Sequence, residues 1–473
     1  MSLSSALLTA KGSLSATASQ TSLISKNIAG SKDPDYVRRI GSLTTTSGGV
    51  YMSVQRSADE ALLSKYIQTN SIANATNTTT SGLDRLSSLY SANEYSGSPQ
   101  ALMEDFLASL QTYATQPGNQ STGDVAVDKA VVLADALNRG NAEIQKLRAD
   151  ADADIAASVT QLNNLLAKFE EVNNKVVATT AAGGDASDML DQRDALLKQI
   201  SSEIGISTLS RGNNDMVIFA ENGVTLFEKT ARKVSFDPSG PLAAGTTGNA
   251  VYIDGVPLGH GTFPQPFGSG SLSGLLQLRD QIAPAYQSQL DETARALVNM
   301  FAEQGVPGLF TYSASAGTPD FDDGTIINGI AGTIKVSSDY ITSAGGTPDK
   351  LRDGGENING DAGFSERLQF LIGSFDQKRG FDVGAGAGTD LSILDYGAAS
   401  TSWLESKRQS ATVSSEYNMV LWTRAGEALA NATGVNVDDE MAKLLELEQS
   451  YQASSRIIAA VDAMLAELLE AVR

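Results

Sequence analysis

Asp150-Ala151-Asp152-Ala153-Asp154 sets three carboxylates at alternate positions, the way an oxygen-ligated calcium loop begins. Such a loop needs a glycine at its sixth position and a glutamate at its twelfth. This chain has Ile155 and Gln161 there, so the run reads as acidic residues on a solvated helix face. Gly384-Ala385-Gly386-Ala387-Gly388 resembles a phosphate-cradling turn, but its third glycine is misplaced for GxGxxG and no buried strand precedes it, so it reads as a connector. His260 is the single histidine, which excludes a two-histidine metal site. A Ser-His-Asp triad needs only one histidine, yet no GxSxG elbow accompanies it, and its Gly/Pro-rich setting reads as an exposed loop. Asp322-Asp323 has the character of ordinary turn residues. With no cysteine, thiol catalysis, disulfides and thiolate-held metals are excluded. Neither a cofactor nor a metal is expected, and the chain reads as non-enzymatic. One charged cluster stands out: in Leu190-Asp191-Gln192-Arg193-Asp194, the residues Asp191, Arg193 and Asp194 are expected to form salt bridges on a helix face, with a subunit contact as the functional alternative.

Charge and length narrow the partners. The 473 residues carry 34 Lys+Arg against 55 Asp+Glu, a net charge of -21, which argues against nucleic acid or an anionic membrane as the main partner. No stretch approaches the 18 or more apolar residues of a membrane-spanning helix, so no membrane insertion is expected. The first residues lack the basic start and apolar run of a secretory signal, since Lys11 falls where that run would lie. The sequons at Asn74, Asn77 and Asn119 are discounted accordingly.

Proline divides the chain: none precedes Pro34 or follows Pro348, and nine of the twelve fall between Pro238 and Pro348. Proline breaks helices and central strands, so long helices belong to the two ends. Helical patterns run over Ala58–Ser91, Ala101–Thr115 and Val125–Thr179, the last with Ile155, Val159, Leu162, Leu166, Phe169, Val172 and Val176 as one apolar stripe. Ser187 is placed as the N-cap of a helix reaching Ile204. Short β-rich runs follow at Met216–Ala220, Val224–Glu228, Lys233–Phe236 and Val251–Asp254, the first two joined through Glu221-Asn222-Gly223. Helical patterning returns over Leu272–Gln304, Phe364–Lys378 and Ala398–Thr433, with Thr333–Val336 as the best strand between.

The two ends mirror each other. Leu3, Leu7, Ala10, Leu14, Ile24 and Ile28, with Thr17 and Thr21 among them, recur at alternating spacings of 3 and 4. So do Leu444, Leu447, Tyr451, Ile458, Val461, Leu465, Leu468 and Val472, with Ser454 among them, behind a capping-box signature at Asn436 and Asp439. The first helix carries two basic and no acidic residues, whereas Asp438–Arg473 carries eight acidic and three basic ones. The ends are therefore natural partners. A seam diluted by Thr and Ser lacks ~0.8 kcal/mol for each CH₂ it omits, so a lone pair is expected to be marginal and assembly to supply the rest.

These ends, with Lys26-Asn27-Ile28-Ala29 and Pro34-Asp35-Tyr36 at one and Gly434–Leu469 at the other, resemble the bacterial flagellar axial proteins. The LDQRD stretch and Gly270–Val298, GSLSGLLQLRDQIAPAYQSQLDETARALV, are similar to one branch of them, the flagellar hook-associated protein 1 family that forms the first hook–filament junction. Gly30, Asp33 and Asp35 depart from the usual Asn-Ile-Ala-Asn and Thr-Pro-Gly-Tyr of that family. The resemblance implies a mainly α fold with an inserted β domain. Paired N- and C-terminal coiled-coil helices (1–34 plus 436–473) would form an inner domain, and 35–204 plus 270–304 plus 364–435 a helical-bundle middle domain. Residues 205–269 would form a small β-rich outer domain, and 305–363 a Gly/Pro-rich irregular segment with short strands. It also implies export through the flagellar type III apparatus without a cleaved signal and extracellular assembly as a ring of like subunits on the hook tip. The partners would be the hook protein, the second junction protein and an export chaperone at the C-terminal region. The alternatives are hook protein or flagellin within the class, and a secreted adhesin or hydrolase outside it.

Overall fold

The computed structural model describes residues 3–46, 49–91, 96–258, 268–303, 308–313 and 325–471. His260 and Asp322-Asp323 lie outside the described residues. In chain order the helices are α1 (Leu3–Gly30), α2 (Glu60–Ser91), α3 (Pro99–Thr115), α4 (Gln120–Ala181), α5 (Ser187–Glu203), α6 (Ser271–Gln277), α7 (Ala283–Met300), α8 (Asp349–Asp353), α9 (Glu366–Ser374), α10 (Ile393–Thr433) and α11 (Val437–Ala471). The strands used below are β1 (Arg39–Thr46), β2 (Gly49–Arg56), β3 (Ile206–Ser210), β4 (Met216–Ala220), β5 (Thr225–Phe227), β6 (Val234–Ser235), β7 (Val251–Ile253) and β8 (Val256–Leu258). The fold is mainly α with small antiparallel sheets. Its residues gather into two compact units, Met1–Ala73 with Gln161–Val234 and Asn418–Arg473, and Asn74–Thr160 with Ser235–Tyr417.

Local chemistry sets several boundaries. Asn436 accepts from the backbone N–H of Asp438 at 3.0 Å and Asp439 at 3.4 Å, so it caps the start of α11. Ser187 does not cap α5. It is the helix's first residue, its own N–H is taken by Asp185 Oδ1 at 2.9 Å, and the cap position falls to Ala186. The helix expected over Leu272–Gln304 is interrupted by a π turn at Leu278–Ile282 just before Pro284, whose missing N–H disturbs the regular ladder. A hairpin that the apolar pattern did not announce occupies β1–β2, pairing Arg39 with Arg56 through to Thr46 with Gly49.

In the first unit β3, β4 and β5 form an antiparallel sheet, the last two joined at Gly223 as expected. The end of α4 supplies Leu162, Leu166, Phe169 and Val176 to its core. At the expected position of Val172 the inward-facing residue is instead Asn173, which donates to Asp215 Oδ1 at 2.8 Å. In the second unit β7 and β8 turn through Asp254 and Gly255, both at positive φ, which is the backbone a two-residue hairpin demands. The β-rich stretch after Gly205 is thus split between sheets.

The second unit centres on the rings of Phe106, Phe301, Phe310 and Phe375, whose centroids lie 5.3–6.3 Å apart. Phe310, Ile330, Ile334 and Leu351, from the Gly/Pro-rich segment, belong to that core. GSLSGLL has a steric meaning: a Cβ on Gly274 would stand 2.7 Å from the Ala75 carbonyl oxygen, so only glycine lets α6 lie this close to α2. α7 is buried along almost its whole length, and its polar residues hold irregular backbone that no sheet ladder satisfies. Asp291 accepts from the N–H of Gly329 and Ala331 at 2.9 Å each, and Glu292 from that of Asp382 at 2.8 Å.

Candidate functional site

α1 and α11 lie antiparallel. Ser13 Oγ is 3.1 Å from Ser454 Oγ, and Asn27 Nδ2 donates to Glu440 Oε2 at 2.9 Å, so fourteen residues along α1 match fourteen residues back along α11. Small residues permit the close approach, with Ala10, Ala16, Thr17 and Ser454 all buried. The Thr17 hydroxyl donates to the Ser13 carbonyl at 2.9 Å and is not stranded. Of the heptad residues, Ala10, Ile24 and Val461 are buried, whereas Leu7, Leu14, Ile28, Leu444, Leu447, Ile458 and Leu465 are half-buried. Tyr451 is 46% exposed. The side chains of Leu3 and Leu468, and all of Val472, lie outside what is described.

At one end of this pair sits a polar junction. Asn27, 1% exposed, uses its side-chain amide as a strand would: Oδ1 accepts the Arg39 N–H at 3.1 Å and Nδ2 donates to the Arg39 carbonyl at 2.9 Å. Its second proton goes to Glu440, and Oδ1 also accepts from Tyr36 Oη at 2.9 Å, so its donors and acceptors are all engaged. Glu440, equally buried, takes a second bond from Arg38 Nε at 2.8 Å. Burial alone would raise the Glu440 carboxyl, but the bonds from Asn27 and Arg38 outweigh it and hold it below the ordinary value of 4.5. A depressed carboxylate stabilises the fold above its unfolded pKa, and that contribution is lost as pH falls through the folded value. Protection factors of α11 amides, that is, exchange corrected for its intrinsic pH dependence, are therefore expected to stay constant from pH 7 to about 5 and to fall below about 4.5, more steeply than in Glu440→Gln. Onset of loosening above pH 5 in the native chain would contradict this.

Across the base of the hairpin two arginines face each other, Arg39 opposite Arg56. Like charges at that spacing repel, and α5 supplies the counter-charges. Asp191 bridges both cations, accepting from Arg39 Nη2 at 2.7 Å and Arg56 Nε at 2.9 Å. Asp188 takes Arg39 at 2.6 Å and Asp194 takes Arg56 at 2.6 Å. Burial pushes the Asp191 carboxyl above its ordinary value, against the opposing pull of Arg56 and Arg39. Arg193 points elsewhere: it is buried, and it donates to Asn173 Oδ1 at 3.3 Å and to the Asn214 carbonyl. The LDQRD partners in the structure thus lie inside the chain. A cleft of about 830 Å³ opens beside the network, lined by Arg56, Leu63, Tyr66, Arg193, Lys198 and Leu429 among others. Its cations are engaged, Lys198 with Asp35 at 2.8 Å and Arg56 as above, so it offers no spare charge of the kind an anionic ligand would need.

The sequence reading missed Asn27, Arg38, Arg39, Arg56 and Glu440 as site residues. The available signal was a buried-type polar residue inside a small-residue seam, matched by an acid one turn into the partner helix. The triad of acids at Asp150–Asp154 also proved divided. Asp150 and Asp154 are exposed on α4, but Asp152 is buried and pairs with Arg279 at 2.6 Å. Among the described residues no cluster of acids and histidines could hold a metal ion.

Comparison with known proteins places these residues in a wider set. The family model described as Flagellar hook-associated protein FlgK helical domain matches residues 83–321, and that described as Flagellar basal body rod FlgEFG protein C-terminal matches 428–471. Flagellar hook-associated protein 1 of Bacillus subtilis is 23% identical over 505 residues, spanning 98% of this chain and 97% of its own. That of Escherichia coli is 25% identical over 67% of this chain and 60% of its own length, and that of Salmonella typhimurium 26% over 55% and 47%. The chain therefore spans about half to three fifths of the enteric relatives. The solved flagellar hook junction protein FlgK of Burkholderia pseudomallei aligns with a TM-score of 0.42 at 19% identity, over 53% of this chain and 47% of that one.

Proposed function

This chain belongs to the FlgK family of flagellar hook-associated proteins, with a structural role at the flagellar hook junction, and on that premise we propose that it assembles there as a ring of like subunits between hook and filament. Subunits leave the cell through the flagellar type III apparatus, escorted by an export chaperone at the C-terminal region. Outside, the ring seats on the hook protein and receives the second junction protein. The relatives are named flagellar hook-associated proteins, and on this reading the chain is a non-enzymatic subunit.

The observation that carries this reading is the state of the paired ends. α11 covers only part of its apolar surface against α1, leaving Leu445 58%, Ile457 50% and Leu469 73% exposed on both sides of the seam. Residues of that kind on a helix of net negative charge fit a further helix packed alongside, and neighbouring subunits bring both the apolar seams and the basic α1. In this proposal Leu3, Leu7, Ala10, Leu14, Ile24 and Ile28, with Leu444, Leu447, Tyr451, Ile458, Val461, Leu465, Leu468 and Val472, form the assembly seams. Asp191, Arg193 and Asp194 act indirectly, by fixing the hairpin and α5. The match to the hook-associated helical domain favours this role over hook protein or flagellin. Clean deletion of the gene is expected to leave cells with hooks that release flagellin unpolymerised, seen by electron microscopy and in the culture medium. Normal filaments after deletion would refute the role.

A further inference from the structure

The hairpin β1–β2 does not have the means to stand alone. It has two strands, which are marginal by themselves in water, and Ile40 and Leu43 are 43% and 44% exposed. Its first cross-strand pair sets Arg39 against Arg56. What holds its base comes from elsewhere: carboxylates of α5 for the two guanidiniums, and the Asn27 side chain for the backbone of Arg39. Tyr36 adds its ring, with the Arg39 guanidinium 4.1 Å from its centroid.

Asn27 can serve Arg39 only in one orientation. Its Oδ1 accepts from Arg39 and Tyr36, and one Nδ2 proton reaches the Arg39 carbonyl. The other proton is satisfied by Glu440, a residue of α11, whose second oxygen is engaged by Arg38 on the segment leading into β1. Remove α11, and a buried amide loses an ionised acceptor while the turn into the hairpin loses its anchor.

We propose that Asn27 is the junction through which docking of α11 on α1 orders the β1–β2 hairpin, so that pairing of the chain's two ends and formation of the hairpin are one event. The coupling is a property of the single chain and stands apart from ring assembly.

The chain contains no cysteine, and the Ser13 and Ser454 hydroxyls are 3.1 Å apart, so Ser13→Cys with Ser454→Cys can staple α1 to α11. The staple lies about 21 Å along α1 from Asn27, at ~1.5 Å per residue. In the oxidised full-length chain, Asn27→Ala is expected to speed hydrogen exchange of amides in 40–46 and 52–56 at least tenfold, while those in 14–24 and 447–458 keep their protection. Glu440→Ala, which removes bonds to Asn27 and Arg38 that lie outside the strands, is expected to speed the same hairpin amides by about threefold or more. Hairpin protection unchanged in the stapled Asn27→Ala chain would overturn the proposal. So would equal loosening of helix pair and hairpin, which would make Asn27 a general packing residue. An unaffected hairpin in Glu440→Ala would remove α11 from the junction, and failure of the staple to form would contradict the antiparallel register beneath it.

Discussion

Replacing Asp191 with alanine is expected to lower the unfolding free energy of the first unit by about 3 kcal/mol, measured by chemical denaturation. The size follows from burial. The side chains of Arg39 and Arg56 are 1% and 8% exposed, they oppose each other across the hairpin, and among the described residues Asp191 is the one carboxylate bonded to both. Without it each cation keeps a single carboxylate partner, Asp188 or Asp194, and the repulsion between them is no longer bridged. Those remaining partners set the value at the low end of the ~3–5 kcal/mol range for breaking a buried pair. Asp191→Asn keeps the shape and one acceptor, so about half that loss is expected. A loss under about 0.5 kcal/mol would place the cluster among exposed surface pairs, which contribute little.

The second large effect is expected at Arg279, in the other unit. Its guanidinium is buried and donates to Asp152 Oδ1 at 2.6 Å, to Asp280 Oδ2 at 2.6 Å and to the Asn249 carbonyl at 2.7 Å. The two carboxylates in turn accept from the backbone N–H of Ser239 at 2.8 Å and Gly248 at 3.1 Å, so one cation organises the segment between. Arg148 clasps the same segment through the carbonyls of Ala243 and Thr246. Arg279→Met fills the volume but leaves the buried Asp152 and the half-buried Asp280 without their counter-ion. A loss of about 3–5 kcal/mol in the second unit is expected, with exchange quickening first at Ser239 and Gly248. Arg279→Lys is expected to recover only part of this, because a single ammonium cannot reproduce the forked geometry. If Arg279→Met unfolded no more easily than the native chain, the clasp would have no energetic role.

Both predictions turn on a partner far away in sequence, Arg39 and Arg56 for Asp191 and Asp152 for Arg279, and this marks what could be read from residues alone. Period and punctuation were legible: the proline-free ends, the apolar stripe of α4, the Asn-Gly turn between β4 and β5 and the Asn436 cap all express interactions within a few residues. The hairpin β1–β2 was not read: Val50, Met52 and Val54 alternate in β2, but β1 has only Ile40 and Leu43 as apolar residues, and the pair owes its place to α1 and α5. The three acids of Asp150–Asp154 looked alike, and only a distant arginine singles out Asp152.

The sequence by itself determined that long helices close the chain at both ends, that their seams are weak and of complementary charge, and that no thiol or two-histidine chemistry is available. Those facts depend on residue type and near spacing, which the chain carries in any conformation. Only the tertiary structure decided that the end helices run antiparallel, that Asn27 and Glu440 meet, and that two facing arginines are reconciled by α5. These depend on groups hundreds of residues apart being buried together, where an unpaired charge costs far more than it does in water, so the partners are fixed by packing and not by position along the chain.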